Sequence, residues 1–202
     1  MKESGKLRLF CALDLPERVL GLIEGWQRQQ VAAHPGWRPV PAGSLHMTLA
    51  FLGDRPEADV PRIAAVIAAT VPPAELSEPL LGELEPDPIP LPRRHPRLLA
   101  LRVAGARIAA LQADLAGALE AEGLYLPDER PFLPHVTVLR LRKDAAPSKV
   151  GLLPVAGADA GPEGGGGHAF GAVRVALYRS EIRPGGSQYT CLAARDLPSE
   201  GG

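Results

Sequence analysis

At 202 residues the chain is long enough for one large domain or two closely packed lobes. Its formal charge of −1 argues against a broad polycationic nucleic-acid surface but leaves room for a local basic cleft. No stretch approaches the roughly 18–20 apolar residues needed to span a bilayer. The opening MKESGKLRLFCALDLP lacks a secretory apolar core, so a soluble, cytoplasmic protein is expected.

Leu7 to Leu13 reads as a first strand, and Asp14-Leu15-Pro16 turns into a helix with Pro16 suited to its first turn. Val19, Leu22, Ile23 and Trp26 follow the spacing of one apolar helix face. A Pro- and Gly-containing loop, Ala32 to Ser44, leads to the run LHMTLAFL. A second helix is expected from about Ala58 to Thr70, then a strand around Leu80 to Leu84 and a proline-laden loop, Pro86 to Pro96. The pattern restarts with a strand from Arg97 to Val103 and a helix from Gly105 carrying Ile108, Leu111, Leu115 and Leu119 on one stripe. Gly123 is placed to end it, and a polar loop leads to PHVTVLRL. Residues 154–168 read as a flexible Gly-rich loop. Phe170 to Tyr178 and Gln188 to Ala193 are the last expected strands. Cys11 and Cys191 both sit in apolar, strand-like runs, and two free buried thiols in a reducing compartment are expected rather than a disulfide.

Strand, helix, loop and a His-x-Thr strand thus occur twice at nearly equal intervals, an internal duplication at the level of structure. The paired stretches are His46-Met47-Thr48-Leu49 and His135-Val136-Thr137-Val138. On a strand, residues two apart share a face. His46 therefore points with Thr48, and His135 with Thr137, while Met47, Leu49 and Phe51 point into the opposite layer. A core strand carries a buried imidazole only at a cost, and doing so twice with the same hydroxyl alongside indicates function.

Two facing imidazoles can act in concert, one taking a proton from attacking water and the other giving one to a departing oxygen, because the imidazole pKa of about 6.5 lies near neutrality. The threonine hydroxyls would donate to phosphoryl oxygens as charge builds there. The sequence offers no HExxH, no CxxC pair, and no Asp or Glu two residues from either His, so neither metal nor cofactor is expected. No Gly-x-Ser-x-Gly elbow supports a serine nucleophile.

At these residues the chain resembles the two-histidine (2H) phosphoesterase superfamily, and within it the RNA 2′,3′-cyclic phosphodiesterases, also known as 2′-5′ RNA ligases. The likeness covers nearly the whole chain. It includes Arg8-Leu9-Phe10, Asp14-Leu15-Pro16, Trp37-Arg38-Pro39-Val40, both motifs, Arg130-Pro131-Phe132-Leu133-Pro134, Leu177-Tyr178-Arg179-Ser180 and Gly186-Ser187-Gln188-Tyr189. The resemblance implies one α+β domain over 1–202. It would be made of two interleaved, pseudo-symmetric lobes of mainly antiparallel sheet, with helices outside and a central cleft. It implies hydrolysis of a terminal 2′,3′-cyclic phosphate on RNA or a nucleotide to a 2′-phosphomonoester, by a monomer acting without metal or membrane. Following the family, His46 would donate the proton and His135 accept one, with Thr48 and Thr137 holding the phosphate. The two halves are too alike for the sequence to fix those roles. Arg140 is a candidate phosphate ligand, although simple alternation turns it away from His135 unless the strand bulges. Phe10, Trp37 and Tyr178 are candidate base platforms, and each could equally be core. Arg97, with Arg93 and Arg94, is either a solubilising surface or a positive rim to the cleft. The competing readings are 2′-5′ ligation by the reverse reaction, and a nucleotide-binding module without turnover.

Overall fold

The computed structural model describes residues 5–74, 78–145, 155, 168–183 and 186–198. The Gly-rich stretch 154–168 lies outside these apart from Val155 and His168. Among the described residues the strands are β1 (Lys6–Leu13), β2 (Trp37–Pro39), β3 (Met47–Pro56), β4 (Leu81–Leu84), β5 (Ile89–Leu91), β6 (Leu98–Ala104), β7 (His135–Leu141), β8 (Ala169–Gly171), β9 (Arg174–Arg183) and β10 (Gly186–Asp196). The helices are α1 (Glu17–Ala33), α2 (Val60–Thr70) and α3 (Ala106–Ala121).

All the strand pairings are antiparallel, in the order β10-β9-β1-β3-β7-β6-β4-β8, with β2 beside β7 and β5 beside β6. This is the expected α+β arrangement. Strands β10, β9, β1 and β3 form one lobe, and β7, β6, β4 and β8 form the other. The lobes meet at the single pair Met47↔Val136, the middle residues of the two motifs.

The helices cross over between the lobes. Helix α1 follows β1 in the chain but packs on β2 and β7, whereas α3 follows β6 and packs on β3 and β4. Helix α1 buries Val19, Ile23 and Trp26 with Gln27 and Gln30. Helix α3 buries Ile108, Leu115 and Leu119. It ends as its glycine suggests: Gly123 adopts φ +67°, its N–H donates to Glu120 O, and Leu124 N–H donates to Leu119 O.

Three expectations are corrected. Short strands β2 and β5 occupy stretches read as loop, because three residues between prolines carry too little alternation to register. The expected strand Phe170 to Tyr178 is broken between β8 and β9. Cys11 is buried but Cys191 is exposed, and both thiols are free.

Candidate active site

The pair Met47↔Val136 sets the register of the two motif strands. By that register His46 stands beside Thr137, and Thr48 beside His135. Direct cross-strand neighbours lie about 5 Å apart at Cβ and diagonal ones about 7–8 Å. The two imidazoles are therefore diagonal neighbours across the paired strands. His46, Thr48, His135 and Thr137 all line one cavity of about 310 Å³.

Each imidazole is fixed by the same local device. His46 Nδ1 lies 2.9 Å from Ser44 O, and His135 Nδ1 lies 2.7 Å from Leu133 O. A carbonyl oxygen only accepts, so Nδ1 carries the hydrogen in both rings. Nε2 is then the nitrogen left for the cavity, an acceptor in the neutral ring and a donor in the charged one.

The environments of the two rings differ. Phe10 is stacked on His46, with centroids 4.9 Å apart, and on Tyr178 at 5.4 Å; Tyr178 also stacks on His46 at 6.4 Å, while Tyr189 meets His46 edge-on at 5.2 Å. Burial in this aromatic setting lowers the His46 pKa to about 4, opposed by the Ser44 carbonyl and by Asp14, and reinforced by Arg140 and His135. With no anion beside it, His46 is neutral at pH 7.

Arg140 lines the cavity with His135 and Thr137, against the direction simple alternation gives it. The reason is a bulge. Leu99 pairs with Leu139, but the next residue, Ala100, pairs with Thr137, so Val138 is an extra residue in β7. Strand β3 repeats this: Cys11 pairs with Ala50 and Ala12 with Thr48, leaving Leu49 extra. Phe51 was expected in the opposite layer. The bulge turns it into the cavity instead, where the Arg8 guanidinium lies 4.7 Å from its ring centroid. Each half thus presents His, Thr and a third side chain, Phe51 in one and Arg140 in the other. Among the described lining residues are the cations Arg8 and Arg140 and no carboxylate, which suits an anion.

Of the other residues singled out from the sequence, Phe10 lines the cavity but serves as the wall behind His46. Tyr178 is outside the cavity lining but stands beside both Phe10 and His46; its hydroxyl donates to Asp14, which also accepts from Arg174 Nε at 2.6 Å. It faces a smaller hollow of about 170 Å³. Trp37 is corrected: it is a buried core residue opposite Leu141, because β2 turns its ring inward. Arg97 is exposed and outside the cavity lining, and its carbonyl accepts from Leu141 N–H.

Sequence reasoning missed Arg8, Phe51, Ser180, Ser187 and Tyr189, which also line the cavity. The signal for the last three was the pair of closing-strand stretches already noted. For Phe51 it was the doubled aliphatic after the threonine. Beside the cavity, sharing Thr48, Phe51 and His135 with it, lies a more apolar hollow of about 730 Å³ lined by Tyr125, Phe132 and Leu133. Among the described residues no group of three or more His, Cys, Asp or Glu side chains is gathered, and no helix is long and apolar enough to cross a membrane.

Comparison with known proteins shows the family of the chain. The sequence model of the 2′-5′ RNA ligase superfamily matches residues 15–153. A Thermus thermophilus protein described as RNA 2′,3′-cyclic phosphodiesterase is 34% identical over 211 aligned residues, 97% of this chain and 93% of that one. The crystal structure of TT0787, also from Thermus thermophilus, superposes with a TM-score of 0.76 at 32% identity, covering 96% of this chain and 100% of that one. Escherichia coli LigT complexed with 3′-AMP superposes with a TM-score of 0.66 at 26% identity, covering 95% and 98%. The chain belongs to the 2′-5′ RNA ligase superfamily.

Proposed function

We propose that this protein opens terminal 2′,3′-cyclic phosphates on RNA or nucleotides to 2′-phosphomonoesters, with two histidines exchanging protons and no metal step. The observation that carries the reading is the shared cavity: two Nδ1-anchored imidazoles, each beside the other motif's threonine, with Arg140 between carboxylate-free walls.

The cyclic phosphate sits between the rings, its nonbridging oxygens facing Thr48, Thr137 and Arg140. His135 Nε2 takes a proton from water as the water oxygen bonds to phosphorus. The bond from phosphorus to the 3′ oxygen breaks, and His46 Nε2 gives that oxygen its proton. Negative charge growing on the phosphoryl oxygens is met by hydroxyl and guanidinium donors already in position. His46 is neutral until an anion binds and takes its proton from solvent as the substrate settles: a phosphate anion at hydrogen-bond distance raises the imidazole pKa. The base rests in the neighbouring apolar hollow against Tyr125 and Phe132.

The test is hydrolysis of a 2′,3′-cyclic nucleotide by EDTA-treated protein. His46→Ala and His135→Ala are each expected to lose about 10² to 10⁴ in rate. Full activity in either variant overturns the reading. A phosphodiester with a nitrophenyl leaving group, which departs without a proton, is expected to restore His46→Ala and not His135→Ala; the opposite pattern reverses the roles.

The superfamily match favours a second use of the same site. A 5′-hydroxyl in place of water bonds to phosphorus as the bond to the 3′ oxygen breaks, and so joins RNA ends 2′-5′. Ends bearing a cyclic phosphate and a free 5′-hydroxyl, followed for joined product, distinguish the two.

A further inference from the structure

The two bulges that shape the site each expose a backbone carbonyl, and each carbonyl is held by a glutamine from the opposite half. Gln27, buried on α1, donates from Nε2 to Val138 O at 2.6 Å and to Val40 O at 2.9 Å. Val40 N–H also donates to Val138 O at 3.0 Å, so the bulged carbonyl has both lone pairs filled. Gln112 on α3 donates from Nε2 to Leu49 O at 3.2 Å. Val138 and Leu49 are the extra residues of β7 and β3. The two contacts are related by the same internal repeat as the motifs, and the crossed helices make them possible.

Their consequence follows from strand geometry. An inserted residue resets the alternation, so the side chain three positions past each threonine returns to the motif face. Without the insertion Arg140 and Phe51 would point into the core layer. A ladder interrupted at the extra residue leaves a carbonyl in need of a donor, and a glutamine reaching from a packed helix supplies it at one position only.

We propose that Gln27 and Gln112 are positioning residues, each clamping the carbonyl of the bulged residue after a His-x-Thr motif and so holding Arg140 and Phe51, respectively, in the catalytic cavity. Gln27 thereby acts on the anion through Arg140, and the contact to Val40 ties the segment entering the first motif to the strand of the second. The kinetic consequence rests on the proposed phosphodiesterase reading. The geometric consequence does not.

The test is a double-mutant cycle on affinity for adenosine 2′-phosphate, read by calorimetry, with KM for the cyclic nucleotide as a parallel readout. Gln27→Met keeps side-chain length and removes the donors. Loss of a charge-assisted phosphate contact corresponds to about tenfold to hundredfold in affinity, and Gln27→Met and Arg140→Ala are each expected to fall in that range. In the Arg140→Ala background, Gln27→Met should weaken binding no further than twofold, because its partner in function is already gone. A folded Gln27→Met protein that binds as tightly as wild type overturns the proposal, and so do losses that multiply in the double variant. If Gln27→Met does not fold, Gln112→Met against Phe51→Ala is the same cycle on the half-exposed clamp: Gln112→Met is expected to weaken binding as much as Phe51→Ala does, and no loss, or losses that multiply, overturns the proposal. Wild-type protein that binds adenosine 2′-phosphate without opening the cyclic form ends the phosphodiesterase reading while leaving the clamp standing. Wild-type protein that neither binds nor hydrolyses overturns both.

Discussion

Phe10 lies against the His46 ring with its plane inclined 29° and its centroid 4.9 Å away, and Tyr178 lies beside both rings, its centroid 5.4 Å from Phe10 and 6.4 Å from His46. The stack removes one face of the imidazole from water and prevents it from turning about its Cβ bond. The Ser44 carbonyl fixes the remaining freedom at Nδ1. A side chain held this way loses little entropy on binding a ligand.

Removing the wall should therefore change the titration of His46. In Phe10→Ala, water reaches the ring and its pKa is expected to climb from about 4 toward the ordinary value near 6.5. Truncating this buried phenylalanine should also cost about 3–5 kcal/mol of stability. NMR titration of the His46 ring carbons reads the first, and denaturant unfolding the second. An unchanged titration near pH 4 would mean that something other than this ring keeps the imidazole neutral.

The same burial makes stability depend on pH. The unfolded chain takes up a proton at His46 below about pH 6.5, whereas the folded protein does so only near pH 4. Stability from this group is complete above about pH 6.5 and is lost as pH falls toward 4. The loss amounts to at most about 3 kcal/mol. His46→Gln should flatten that part of the curve in thermal melts between pH 4 and 7. An equally steep fall in the variant assigns the pH dependence elsewhere.

Thr48→Val and Thr137→Val keep shape and remove only the hydroxyl. Each is expected to lower kcat by about 10² to 10³, the typical effect of deleting one donor to a developing oxyanion. Near-equal losses follow from the register that sets each threonine beside the other motif's histidine. Steady-state kinetics on a cyclic nucleotide decides it, and a variant with unaltered kcat removes that threonine from the mechanism.

The two thiols should separate cleanly under alkylation. Burial in β1 raises the Cys11 pKa to about 12, so it is protonated and shielded, while Cys191 is exposed on β10. Iodoacetamide at pH 8 is expected to add one label to the native protein and two after denaturation, read by intact mass. Two labels on the native protein would contradict the placement of Cys11.

Much of this was legible in the amino-acid order. The doubled His-x-Thr strands, the amphipathic helices and the glycine that ends α3 all follow period rules that local spacing reveals. Phe51 and Arg140 were harder because an added residue leaves no mark on a period-two pattern except two aliphatics in succession, Leu49-Ala50 and Val138-Leu139. That doublet also fits an unbroken buried strand. Trp37 could not be sorted from the cleft aromatics, since whether an indole faces core or solvent in a three-residue strand depends on its partner across the sheet. Gln27 occupies a position that a helical wheel reads as part of the buried face, and nothing in its neighbours reveals that its amide reaches a strand more than a hundred residues later.

The exchange of helices between the lobes has a consequence for how the molecule holds together. A chain severed between α2 and β4 would leave the first fragment with α1 but not the β7 surface it covers, and the second with α3 but not the β3 surface it covers. Each fragment would leave part of its sheet open to water. Folding and assembly of the reactive centre are therefore one event, and no half-sized product is expected to keep a fraction of the whole's competence.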